Sequence, residues 1–252
     1  MVSYIFYLVI YPLLLILCVF MGNRLAARQL KKGYTWKPLG VENGIVGFYA
    51  LLTSFTLVQS GTQSHERSNM VQTITTDISE ILRVSAVYDH TVYEQVRLYY
   101  TDLYQFIKLP VGTTREKVVE RVRSIDSLDS NFDQHMQQYL AAHPAEWDRI
   151  STLMAKTDRV ESTYYRLMHS YHRTLPKMIL WVLFLFSMCL SVLIGYISKN
   201  NGNRYRITSF IFVFMSVIIV SIIHDLDNPA FGFIRPSFDD IEEVMNTYNI
   251  PT

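Results

Sequence analysis

Residues 1–20, 178–197 and 207–223 contain no charged side chain. A helix needs about 17–25 residues to cross a hydrocarbon core roughly 30 Å thick, so each stretch predicts one membrane crossing. Residues 44–60 predict another, diluted by Thr53, Ser54, Thr56, Gln59 and Ser60. No basic residue precedes residues 4–20, whereas Arg24, Arg28, Lys31 and Lys32 follow them, the reverse of a signal peptide's charge order. A retained anchor is therefore expected, and four crossings in all.

Between the second and third crossings the period is helical. No Pro or Gly occurs between Thr62 and Leu109, and Val71, Ile74, Ile78, Ile81, Ser85, Tyr88, Val92, Val96, Tyr99, Leu103 and Phe106 recur three or four residues apart. This predicts one rod continuing from the second crossing to about Ile107, stopped by Leu109-Pro110-Val111-Gly112. Thr113 and Glu116 predict a capping-box start for a short helix to about Ile125. A second short helix, with Asp129 and Ser130 as cap candidates, is expected over residues 131–142 and ends at His143-Pro144. Pro144 then opens a long helix striped by Trp147, Ile150, Met154, Thr157, Tyr164, Leu167, Met168, Tyr171 and Leu175. The expected fold is all-α: four transmembrane helices, with helices 2 and 3 extending into a helical extramembrane domain. The divisions are residues 1–60, 61–176, 177–223 and a C-terminal segment, 224–252.

Composition narrows the class. Half of the 252 residues are apolar and 18% are charged, and it is the gathering of the apolar residues into long uncharged runs that excludes a freely soluble monomer and intrinsic disorder. The two cysteines, Cys18 and Cys189, each lie inside an apolar run, so a disulfide scaffold is excluded. A net charge of +1 gives no reason to expect nucleic acid. Lys and Arg near the crossings divide eight (Arg24, Arg28, Lys31, Lys32, Lys37, Lys199, Arg204, Arg206) against five (Arg67, Arg166, Arg173, Lys177, Arg235). Positive charge favours the cytoplasmic side, which puts both termini and the helical insert outside.

Two constellations are candidates for chemistry. Tyr49, Thr53, Thr56, Ser60, Gln63 and Arg67 are spaced to share one face of the second crossing. Polar groups in hydrocarbon must face other helices or water, so this stripe either lines an aqueous path, with Arg67 favouring anions at its mouth, or is packing between helices. His224, Asp225 and Asp227 close the fourth crossing. They are metal-ligand types, but carboxylates at a helix C-terminus oppose its dipole. A structural ion pair or turn cap is the stronger expectation, and no metal is assigned. His65, His169 and His172 fall near the membrane surface; an interfacial position without a special role is the stronger expectation, and a pH response the alternative. No catalytic residue, cofactor or enzyme motif is found.

The stretch Lys37-Pro38-Leu39-Gly40-Val41-Glu42-Asn43-Gly44-Ile45-Val46-Gly47-Phe48 and the run His224-Asp225-Leu226-Asp227-Asn228-Pro229-Ala230-Phe231-Gly232 resemble the bestrophin-like membrane proteins of bacteria and plants, a family of unknown function. The resemblance implies two helix pairs around a helical insert, a bacterial inner-membrane location and, through the bestrophins, an oligomeric anion channel. The acidic run that forms the bestrophin calcium clasp has no counterpart here. The expected function is an oligomeric ion pore that weakly favours anions, with the polar face of the second crossing lining the path; its partners are the lipid bilayer, copies of itself and inorganic ions such as chloride. The alternative is a non-conducting sensor or scaffold whose helical domain binds a ligand or protein.

Overall fold

The computed structural model describes residues 6–34, 40–107, 115–171, 175–201 and 206–250. Among them the chain forms eight α-helices and no strand: α1 (Tyr11–Lys31), α2 (Val41–Ser85), α3 (His90–Ile107), α4 (Arg115–Ala142), α5 (Trp147–Ser170), α6 (Lys177–Asn200), α7 (Arg206–Asp227) and α8 (Asp239–Thr247). A π-helical turn, Phe6–Ile10, leads into α1, and a 3-10 turn, Pro144–Glu146, leads into α5. Four helical segments, Phe6–Lys31, Val41–Ser85, Lys177–Asn200 and Ile207–Asp227, are long and apolar enough to cross a membrane. This is an all-α integral membrane protein. The chain divides into two compact units.

The membrane unit comprises Met1–Thr62 and Thr174–Asn228. Pro12 sits in the first turn of α1, where a missing N–H costs nothing. Gly33, at φ 81°, ends the helix by turning the chain so that its N–H reaches the Leu30 carbonyl. Tyr11 and Leu15 of α1 are buried with Leu183 and Leu190 of α6 and Val220 and Ile223 of α7. The α1–α6 contact is set by glycine. A Cβ on Gly22 would lie 2.0 Å from the Val192 carbonyl oxygen, and one on Gly195 would lie 2.1 Å from that of Val19. Small residues let membrane helices approach this closely. The other side of α1 leaves Leu13, Ile16, Leu17 and Phe20 exposed, as helices facing lipid or a second copy require.

The helical unit comprises Gln63–Arg173 and Pro229–Thr252. Its core gathers Ile74, Ile78 and Ile81 from α2, Val92, Val96 and Tyr100 from α3, Ile125, Phe132 and Met136 from α4, and Ile150, Val160 and Leu167 from α5. Ile241 and Met245 of α8, and Ile250 after it, are fully covered by the same core. Burying a side chain of this size contributes about 1.5–3 kcal/mol. Two ion pairs run from α5 to α2: the half-exposed Lys156–Glu80 at 2.6 Å, and Arg159–Asp77 at 3.1 Å, in which the carboxylate is buried and the guanidinium exposed. A pair as open to water as Lys156–Glu80 contributes about 0–1 kcal/mol.

Three expected boundaries differ. The rod does not run unbroken to Ile107: α2 ends at Ser85, whose hydroxyl donates to the Leu82 carbonyl, and Asp89 caps α3 by accepting the Thr91 N–H. An apolar stripe can cross a break when both segments bury it in one core, and an Asp N-cap contributes about 1 kcal/mol. The two expected short helices are instead the single α4. Ser124, Ser127 and Ser130 turn their hydroxyls onto carbonyls of their own helix and so do not cap a new one. The fourth crossing extends one turn further than expected, so His224, Asp225 and Asp227 all lie within α7. The stop at Leu109–Pro110–Val111–Gly112, the Thr113 cap, His172 and Arg173 lie outside the described residues.

Candidate functional site

The polar stripe on α2 faces inward. Tyr49, Thr53, Thr56 and Ser60 are all buried within the membrane unit. The Tyr49 hydroxyl donates to the Ser216 hydroxyl of α7 at 3.4 Å, and Thr56 donates to the carbonyl of Leu52 at 2.8 Å. The Thr53 and Ser60 hydroxyls are buried without a hydrogen-bond partner among the described residues. In the helical unit Gln63 is half-buried, with a buried side-chain oxygen, and Arg67 is 1% exposed. The Arg67 guanidinium donates to the Ser170 carbonyl at 3.4 Å. Within one chain the groups of this face are covered by its own helices.

The opposite face of α2 is open. Phe48, Leu51, Phe55 and Val58, then Thr62, His65, Asn69, Gln72 and Thr76, are all exposed. They alternate steps of three and four residues throughout. That mean spacing, 3.5 residues, is the period of a straight seam along which helices gather around a common axis. The seam is apolar in its first four positions, polar in its last five, and holds no carboxylate. Apolar residues on a membrane helix fit lipid as well as a protein axis, so residue order alone does not mark this seam; only exposure beside the covered polar stripe separates the two faces.

At the end of α7, His224, Asp225 and Asp227 are each less than 10% exposed. Asp227 accepts the Leu175 N–H at 2.6 Å, anchoring the backbone two residues before α6. The His224 ring packs on Tyr7, with centroids 4.2 Å apart, and its Nε2 meets the Asn228 amide at 3.3 Å. The arrangement ties the turn before α1 and the approach to α6 to the end of α7. Among the described residues no three His, Cys, Asp or Glu side chains are placed to hold a metal.

The helical unit carries a second titratable group that the sequence did not single out. Tyr99 donates to Asp129, and Tyr165 donates to Asp126. Burial raises the Asp129 carboxyl to about 7, and Glu161 and Asp133 nearby add to the rise. Asp133 and Asp158 are also raised, first by burial and then by neighbouring acids.

Comparison with solved structures places the fold. A variant of a bacterial bestrophin homologue from Klebsiella pneumoniae aligns with a TM-score of 0.65 over 98% of this chain and 97% of its own, at 14% identity. A second variant of it gives 0.66 over 96% and 98%, at 13% identity. A further crystal structure, of a membrane protein, gives 0.64 over 99% and 100%, at 14% identity. No family model matches the sequence, and no curated protein matches it. Near-complete coverage in both directions, with the same four crossings and helical insert expected from the sequence motifs, establishes that this chain has a bestrophin-like fold.

Proposed function

We propose that copies of this chain assemble into a membrane pore for inorganic ions, with α2 of each copy lining the path through its open seam. The observation that carries this reading is the nine-residue exposed face of α2 at a 3.5-residue period. Four crossings in one subunit enclose little space, whereas a seam of this period is what several copies need around a shared axis. In such an assembly Phe48, Leu51, Phe55 and Val58 form an apolar constriction of the kind that gates by dewetting. Thr62, His65, Asn69, Gln72 and Thr76 continue as a polar vestibule. The inward stripe of Tyr49, Thr53, Thr56 and Ser60 backs the pore helix.

Anions are favoured over cations by a small margin. The seam holds His65 and no carboxylate, although Glu66 beside it is exposed, and the bestrophin likeness points the same way. The eight-to-five distribution of Lys and Arg supports a helical unit and termini outside the cytoplasm, and the likeness to a bacterial homologue favours a bacterial inner membrane.

Ion flux from proteoliposomes under opposed chloride and potassium gradients tests the reading. The reversal potential is expected to follow chloride, Val58→Thr to raise flux by wetting the constriction, and Thr56→Val to leave it unchanged. If Thr56→Val removed flux while the seam variants did nothing, the path would run through the polar stripe instead. Silence from folded protein would favour a scaffold whose helical unit binds a ligand or partner.

A further inference from the structure

Two rows of carboxyl groups meet where α4 packs on α5 in the helical unit. Asp126, Asp129 and Asp133 recur three and four residues apart on α4, and Asp158 and Glu161 lie three apart on α5. Glu161 sits close to Asp129, Asp133 and Asp158, and Asp158 close to Asp133. The bases beside these acids on α5 do not serve the contact: Lys156 pairs with Glu80 and Arg159 with Asp77, both on α2. The other groups facing Asp129 carry no positive charge either. From α3 they are the phenols of Tyr99 and Tyr100, and from α2 Asp77 reaches Tyr100. The 3-10 turn Pro144–Glu146 meets α4 near its far end, where Glu146 acts on Tyr139.

Asp129 is fixed on one side and incomplete on the other. Its Oδ1 accepts the Tyr99 hydroxyl, and the Tyr99 ring packs on Tyr100 and Phe132, with centroids 4.9 and 4.7 Å away. Its Oδ2 is buried and has no hydrogen-bond partner among the described residues. On the α5 side the group within hydrogen-bonding reach of Asp129 is the Glu161 carboxyl. Tyr165, the neighbouring hydroxyl on α5, gives its hydrogen to Asp126. An ionised carboxylate only accepts, and two carboxylates in contact cannot both stay ionised. The donor that this geometry lacks is a hydrogen on one of the two acids. Burial, the largest influence on Asp129, raises its carboxyl to about 7 against the lowering effect of the Tyr99 bond, and Glu161 adds to the rise.

We propose that one proton held between Asp129 and Glu161 latches α4 to α5, and that its loss toward alkaline pH frees the middle of α4. With the proton in place the two acids form a closed hydrogen bond. Without it two anions face each other in a half-buried seam that holds no base, and the strain is relieved when α4 parts from α5 and water reaches both. The folded-state value of Asp129 lies above that of an exposed aspartate, so the latch is closed below the ordinary aspartate range and weakens as pH rises to about 7. The device goes beyond the pore reading and does not depend on it, since it is read on the protein without any flux.

The test follows amide hydrogen exchange along the full chain in detergent at pH 5 and pH 8, with labelling times scaled to the intrinsic exchange rate. Protection of residues 122–136 is expected to fall by about tenfold or more at pH 8, at least the factor that one pKa unit supplies, while α6 keeps its protection. Glu161→Gln puts a fixed N–H donor where the proton sits and is expected to make protection equal at the two pH values. Glu161→Ala removes the like charge but supplies no donor, and is expected to keep the fall because Asp129 stays buried and unpartnered. Asp129→Asn supplies the donor from α4 and answers the same question if Glu161→Gln does not fold. Asp158→Asn, an exposed neutralisation in the same rows, is expected to leave the fall in place. A fall in the wild type that both amide variants remove and Glu161→Ala does not supports the latch. Equal protection at both pH values in the wild type, or the same behaviour from Glu161→Gln and Glu161→Ala, overturns it.

Discussion

Gly22 and Gly195 offer the sharpest test of how the membrane unit is held together. A Cβ added at Gly22 would meet the Val192 carbonyl oxygen at 2.0 Å, and one at Gly195 would meet that of Val19 at 2.1 Å. The shortest comfortable carbon–oxygen approach between helices is about 3.3 Å, so either substitution is short by about 1.2–1.3 Å. Both obstructing atoms belong to helical backbone and cannot rotate away. The helices must part, and a gap of that order forfeits about half of each contact's dispersion energy along the seam. Overpacking ordinarily costs about 1–3 kcal/mol; with backbone on both sides, Gly195→Ala is expected to cost about 3 kcal/mol, at the upper end of that range.

The double variant makes the reasoning specific. One separation of α1 from α6 relieves both clashes, so Gly22→Ala with Gly195→Ala should cost little more than either alone. The expected coupling is about 3 kcal/mol, at the top of the range seen for contacting residues. Unfolding by SDS titration of the detergent-solubilised protein, followed by circular dichroism, measures this directly. Gly61→Ala is the control: nothing lies within 4 Å of its Cβ position, and replacing a helical glycine should stabilise by up to about 1 kcal/mol. Wild-type stability in Gly195→Ala, or a double variant whose loss equals the sum of the singles, would refute the account.

Two further outcomes are expected. Asp227→Ala leaves the buried Leu175 N–H without its acceptor and should lower unfolding stability by about 2–3 kcal/mol; Asp227→Asn, which keeps an oxygen there, should lose less, and neither should move the reversal potential in the flux assay. Asp129 has a folded-state value near 7, raised above that of an unfolded aspartate. The folded chain therefore binds more protons between the two values, and stability falls as pH rises through that window. Thermal melting should show the wild type more stable at pH 5 than at pH 8, and Asp129→Asn should flatten that difference; an unchanged profile in the variant would remove Asp129 as its source.

Much of the architecture was written in residue order. Long uncharged runs can be stable only where water is absent, so the four crossings followed from composition and length alone. The stripe from Val71 to Phe106 announced a helical insert because apolar residues at a 3.6-residue period bury one helix face. The motifs around Asn43 and Asp225 pointed to the bestrophin-like arrangement that the fold comparison then established. Helix ends were less legible. Asp89 is as good a cap in the sequence as Ser130, yet only the former starts a helix, because a hydroxyl or carboxylate can turn either to the next amide or back to its own helix. Packing of the core on both sides decides which.

The same limit governs the function-bearing faces. Residues 49 to 67 announced a polar stripe on α2, but polarity in a membrane helix is satisfied equally by water and by a neighbouring helix, and only burial distinguishes them. The open seam from Phe48 to Thr76 and the pairing of Asp129 with Glu161 depend on which residues far apart in the chain lie side by side. So do the raised carboxyl of Asp129 and the α1–α6 contact through Gly22 and Gly195. Period and hydropathy are properties of neighbours along the chain and can be read there; exposure, charge balance and close approach are properties of neighbours in space, and only the tertiary structure sets them.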